Sequence, residues 1–93
     1  MNDETTIEEI IAINAAKAVA HFGAAQFTVV SWRSVTTRSR WVSADARLPG
    51  EQDVYAAYGS QAFYVPDHIK LPLPEIEAIF RAEIERLQAT LAP

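Results

Sequence analysis

Gln26-Phe27-Thr28-Val29-Val30-Ser31-Trp32-Arg33-Ser34-Val35-Thr36-Thr37-Arg38-Ser39-Arg40-Trp41-Val42-Ser43-Ala44-Asp45-Ala46-Arg47 is the stretch on which the fold turns. Gln26 to Ser34 is dense in β-branched and aromatic side chains, which suit a pleated, half-buried surface, so it reads as a strand. Arg38 to Arg47 reads as a second. The connection Ser34-Val35-Thr36-Thr37 offers no glycine or asparagine for a tight primed turn, so a longer loop fits as well as a two-residue one and the register stays open.

A hairpin centred on Thr36-Thr37 pairs Trp32 with Trp41 and Arg33 with Arg40. Alternation then sets both indoles on one face beside Val30 and Ser43, with Phe27, Val29, Val42, Ala44 and Ala46 as a credible core-facing set on the other. A one-residue slip reverses the faces. Burial is the default for tryptophan in a small domain, so the expectation carried forward is that the indoles are core.

The segments on either side are helical. Thr6 and Glu9 make a capping-box signature and Gly23 supplies a left-handed stop, which predicts a helix over 7–22. Its core stripe is Ile7, Ile11, Ala15, Ala18 and Phe22. Ile13, Ala16 and Ala20 form a second apolar side, a surface for another helix or another copy of the chain. At the other end Leu71-Pro72-Leu73-Pro74 reads as an extended connector, because proline disfavours the α conformation in the residue before it. Pro74 then opens a helix striped by Ile76, Ile79, Phe80, Ile84, Leu87 and Leu91, with a smooth second face of Ala78, Ala82 and Ala89.

Between hairpin and last helix, Leu48-Pro49-Gly50 breaks the second strand. Glu51 to Tyr58 reads as a short helix ended by Gly59 in preference to a strand, and Gln61 to Val65 as a third strand ended by Pro66. The expected fold is therefore α+β: a small antiparallel sheet of about three strands packed against N- and C-terminal helices, order αββ(α)βα, in one domain spanning residues 1–93.

Composition narrows the function. At 93 residues the chain buries only roughly 60 to 65% of its unfolded surface, and its hydrophobic fraction of 49% and charged fraction of 22% are those of a folded globular domain. It contains no cysteine, which excludes disulfides, thiolate metal sites and a cysteine nucleophile and makes cytoplasm the default location. The longest apolar run is five residues, Val54 to Tyr58, too short for a membrane span or a signal-peptide core. The net charge of −4 is unevenly spread. Residues 1–23 set one lysine against four carboxylates, residues 24–50 set four arginines against Asp45, and residues 51–93 set three basic residues against seven acidic ones. The hairpin has the opposite sign to both flanks.

Catalytic and metal motifs are missing. There is no Gly-x-Ser-x-Gly elbow, no Gly-rich phosphate loop and no His-x-x-x-His pair, so no catalytic residue, metal or cofactor is assigned. His21 and Asn14 share an edge of the first helix and read as a hydrogen-bonded pair at the core margin. His68 lies beside Asp67 in a turn, and Tyr55, Tyr58 and Tyr64 read as amphipathic core margin. Glu83 falls inside the last helix's apolar stripe by angle and reads as lying at its edge.

The leading expectation is a non-enzymatic protein-binding module, such as a small regulator, inhibitor or accessory subunit, a profile shared by acidic inhibitors of phage or mobile-element origin. Its partner-binding residues are Trp32, Arg33, Arg38, Arg40, Trp41 and Arg47, since aromatic and arginine side chains anchor interfaces. Homodimerisation through the apolar second faces of the helices is a further expectation. Nucleic-acid binding by the Trp/Arg ribbon ranks second, because four arginines in an acidic chain are few. A small enzyme assembled at an oligomer interface around His68, Asp67 and the tyrosines ranks third.

Overall fold

The computed structural model describes residues 4–47 and 57–91. Helix α1 (Ile7–Phe22) is followed by strands β1 (Phe27–Arg33), β2 (Arg40–Arg47) and β3 (Ala57–Val65) and by helix α2 (Leu73–Ala89). The strands form one antiparallel sheet in the order β1-β2-β3, and both helices lie on the same side of it, α1 over β3 and α2 over β1 and β2. This is the α+β arrangement expected from the sequence, in two layers.

Local chemistry sets the boundaries of α1. Glu9 N–H donates to Thr6 Oγ1 at 3.1 Å while the Glu9 carboxylate accepts from Thr6 N–H, the reciprocal capping box. Gly23, at φ 57°, ends the helix in a conformation that costs a residue with a side chain. Helix α2 begins at Leu73, one residue before the expected start, so Leu73 is helical and not extended. Pro74 falls in the first turn, where its missing N–H would have found no intrahelical acceptor.

Strand β3 is longer than its sequence pattern suggests. It begins at Ala57 and runs through Gly59, so Ala57 and Tyr58 are extended and not the end of a helix. Cross-strand pairing of Arg47 with Ala57 and of Ala46 with Gly59 supplies the ladder that overrides local preference, with a register shift between those two steps. The expected strand break at Leu48-Pro49-Gly50, the body of the 51–58 helix and Tyr55 lie outside the described residues.

The hairpin register pairs Trp32 with Trp41 and Arg33 with Arg40. Six residues, Ser34 to Ser39, close it: Ser34 N–H donates to Ser39 O, Arg38 N–H donates to Ser34 O, and Arg38 takes the left-handed position at φ 63° that a tighter turn would reserve for glycine. The β1 and β2 residues directed at the helices are consequently Phe27, Val29, Ser31 and Val42, Ala44, Ala46, joined by Phe63 and Val65 of β3. Ile76, Phe80 and Ile84 of α2 are fully buried against them, and Phe63 meets Phe80 edge to face with centroids 5.0 Å apart. Alanines at 44 and 46 leave room for the helix side chains, which is why this face is the one covered.

Candidate functional site: the open face of the sheet

Register fixes what the uncovered face presents. Three rows cross the strands: Thr28, Asp45 and Ser60; then Val30, Ser43 and Ala62; then Trp32, Trp41 and Tyr64. No element of the described residues covers this face. The expectation that the indoles are core is therefore wrong. The hairpin keeps Val29, Val42, Ala44 and Ala46 inward, and period-two alternation then forces Trp32 and Trp41 outward.

The last row is a continuous aromatic strip. Trp32 and Trp41 lie nearly parallel, 10° between ring planes and 6.4 Å between centroids, and Tyr64 meets Trp41 edge-on at 5.9 Å. Trp32 remains 43% exposed and Tyr64 41%, while Trp41 between them is half-buried. Ser43 is buried in the middle row and donates to the Asp45 carboxylate at 2.6 Å. Asp45 is the single ionisable carboxylate or cation among the nine positions, so the face is apolar at its centre and weakly acidic at the end away from the aromatics.

The arginines expected to share this surface are placed differently. Arg40 is on the helix side of the sheet, where Nη1 donates to Leu71 O at 2.9 Å and Nη2 donates to Pro66 O at 3.1 Å and Ile69 O. It clasps the connector between β3 and α2. Arg33 shares that side and donates to Arg38 O at 2.8 Å across the hairpin loop. Arg33 and Arg38 thus stand together at the hairpin end, with Arg33 on the side of the sheet opposite the aromatic strip. Arg47 ends β2 at the opposite end of the sheet, in a cleft of about 480 Å³ that it shares with Gln26, Thr28, Arg81, Glu85 and Gln88.

Tyr64 was missed as a site residue. The signal was available: once Phe63 and Val65 are recognised as core, alternation turns Tyr64 to the indole side. Comparison with known proteins adds no label, since no protein-family model, curated protein or solved structure matches this chain.

The remaining polar candidates are engaged locally. Asn14 donates to Ile10 O and accepts from Gln61 Nε2 at 2.8 Å, so its partner is β3 and not the exposed His21. Nε2 of His68 is 2.7 Å from Thr5 O, with Nδ1 3.9 Å from the Glu4 carboxylate, and this contact fastens the start of the described chain to the 66–72 connector. His68 does line a shallow cleft of about 460 Å³ with Thr5, Ile7, Ile69 and Leu71. Glu83 lies half-buried at the edge of the helix stripe, bonded through both oxygens to Arg86, which holds its carboxyl below the usual carboxylate range. Among the described residues no group of three or more His, Asp or Glu side chains is placed to hold a metal ion, and no helix is long and apolar enough to cross a membrane.

Proposed function

We propose that this protein is a non-enzymatic interaction module that binds another protein through the open face of its sheet, with Trp32, Trp41 and Tyr64 as anchors. The observation that carries the reading is the aromatic strip itself: three large side chains from three strands, in mutual ring contact, on a face nothing described covers. Large aromatics are enriched at interfaces because each buries much area at little cost in side-chain entropy, and charge is depleted at interface centres. This face has both features. The nine positions of the face carry no arginine or lysine, so the strip is suited to a partner that presents an aliphatic patch. A regulator, inhibitor or accessory subunit acts through docking of this kind.

Single-stranded nucleic acid is the second reading, since bases stack on aromatic side chains displayed across a sheet. Cation placement favours protein: Arg40 is committed to three carbonyls, Arg47 is at the far end, and the face carries Asp45.

The test is affinity capture from the native host with wild type, Trp32→Ser, Tyr64→Ser and, as a control on the helix layer, Ile13→Lys. Loss of one anchor is expected to weaken binding by about 2 kcal/mol, roughly thirtyfold, without loss of the folded circular-dichroism spectrum. A partner held equally by wild type and both face variants would refute the assignment. Tryptophan quenching by an oligonucleotide, reversed by salt, would move the face to the nucleic-acid reading.

A further inference from the structure

The free side of β1 is a second surface, separate from the open face, and the argument for it does not depend on what that face binds. Ser34 N–H donates to Ser39 O and Arg47 N–H donates to Gln26 O. The even-numbered residues of β1 therefore turn their backbone groups toward β2, and Phe27, Val29, Ser31 and Arg33 turn theirs outward. No strand of the described residues pairs with that side. Exposed edges are ordinarily guarded by proline, lysine, a bulge or an inward charge. Phe27-Thr28-Val29-Val30-Ser31-Trp32 has none of these, the one inward charge of the strand, Arg33, is its last residue at the hairpin end, and the sheet's register shift lies between β2 and β3. The cleft lined by Phe27, Thr28, Arg81, Glu85 and Gln88 opens along the start of this edge, so there is room beside it.

Helix α2 runs antiparallel to β1 above the edge. Glu77 accepts a hydrogen bond from Ser31 at one end, and Gln88 donates to Ala25 O at the other. With a rise of about 1.5 Å per helical residue and about 3.3 Å per strand residue, Arg81 stands about 6 Å past Glu77, level with Val29, and Glu85 about 12 Å past it, near Phe27.

We propose that β1 pairs antiparallel with β1 of a second copy of this chain, about a two-fold axis at Val30, joining the two sheets into one of six strands. Val29 then lies opposite Ser31 of the second copy and Phe27 opposite Arg33 of the second copy, and the outward backbone groups meet as hydrogen-bonded pairs. Charge selects this occupant and this register. An axis at Val30 brings Arg81 level with Glu77 of the second copy, and Glu85 level with Arg33 of the second copy, each contact made twice by symmetry. An axis moved to Val29 sets Arg81 against itself, and one moved to Ser31 sets Glu77 against itself. The two aromatic strips end on one continuous face.

The chain has no cysteine, so Val30→Cys introduces a single thiol, on the open face and away from the core. Residues directly opposite in a non-hydrogen-bonded pair have Cα atoms about 4.5 Å apart, within the span of a disulfide. Under mild oxidation Val30→Cys is expected to form a covalent dimer. Thr28→Cys and Trp32→Cys are expected not to do so alone but to cross-link when mixed. In sedimentation the wild type is expected to be dimeric at about 100 µM, Arg81→Glu to weaken the dimer about tenfold, and Glu77→Arg/Arg81→Glu to restore it to within about threefold. A wild type that stays monomeric at that concentration overturns the proposal, as does Val30→Cys cross-linking no faster than Thr28→Cys, or a dimer indifferent to Arg81→Glu. Partner capture through Trp32 and Tyr64 is read separately, so either surface can fail without the other.

Discussion

Replacing Arg40 by alanine is expected to destabilise the fold far more than replacing any other arginine of the hairpin. The Arg40 guanidinium spans three carbonyls of the connector, Leu71 O and Pro66 O at 2.9 and 3.1 Å and Ile69 O beside them. A hydrogen bond with one charged partner contributes about 1.5 to 3 kcal/mol when its acceptor cannot be rehydrated. The site is only part-buried, so water recovers some of the loss and about 1 kcal/mol per bond is the better figure. The total of about 3 kcal/mol is a large share of the roughly 5 to 15 kcal/mol available to a domain of this kind. It corresponds to a fall in Tm of roughly 15 °C, and to a lower urea midpoint at unchanged slope. Arg40→Lys keeps the charge but not the planar fork, and is expected to recover less than half of the loss. Urea unfolding followed by circular dichroism, with the exposed Lys17→Ala as reference, measures it. An Arg40→Ala midpoint equal to that of Lys17→Ala would mean that the three carbonyls are held by something else and that Arg40 is free to serve the surface.

Two further outcomes follow from the packing and the charges. Phe80 is fully buried and meets Phe63 edge to face, so Phe80→Ala is expected to cost about 3 to 5 kcal/mol in chemical denaturation. Glu83 has a folded pKa below its ordinary 4.5, chiefly through its hydrogen bond to Arg86. A depressed carboxylate contributes stability above its unfolded pKa and loses it as pH falls through the folded value, so the Tm advantage of wild type over Glu83→Gln should shrink as pH drops below 4.5 and be flat above neutrality.

Much of the fold is legible in local patterns. The Thr6/Glu9 capping box, Gly23 and the 3.6-residue stripes specify α1 at both ends and the start of α2 to within a residue, because caps and periodicity are properties of neighbouring positions, whereas Leu91, counted into the second stripe, lies beyond the helix end at Ala89 and is exposed. Leu73 departs because the first turn of a helix tolerates proline at its second residue. Ala57 and Tyr58 depart because their conformation is imposed by Ala46 and Arg47 across the ladder, information that no window of adjacent residues contains. The site divides along the same line. Trp32 and Trp41 could be paired from the hairpin alone, but which face was covered depended on the fit of Ala44 and Ala46 under helices distant in sequence. Tyr64 joined them only through the register of β3. Arg40 was grouped with the other arginines because composition counts charge, whereas its role comes from three carbonyls lying 26 to 31 residues further along the chain.

The placement of α1 over β3 and of α2 over β1 and β2 bears on how the chain acquires its structure. The first helix finds its strand only after residue 65 has been made, and the first strand is roofed by the last element. No leading portion of the described chain can bury its apolar stripe against its own sequence neighbours, so the nucleus must close long loops before it gains packing, a route that slows folding relative to a bundle of similar size. As the chain leaves the ribosome, the β1–β2 hairpin is exposed on both faces and along the β1 edge until α2 arrives. During that interval the strip of Trp32 and Trp41 is open to other chains together with the inner face of Phe27, Val29 and Val42.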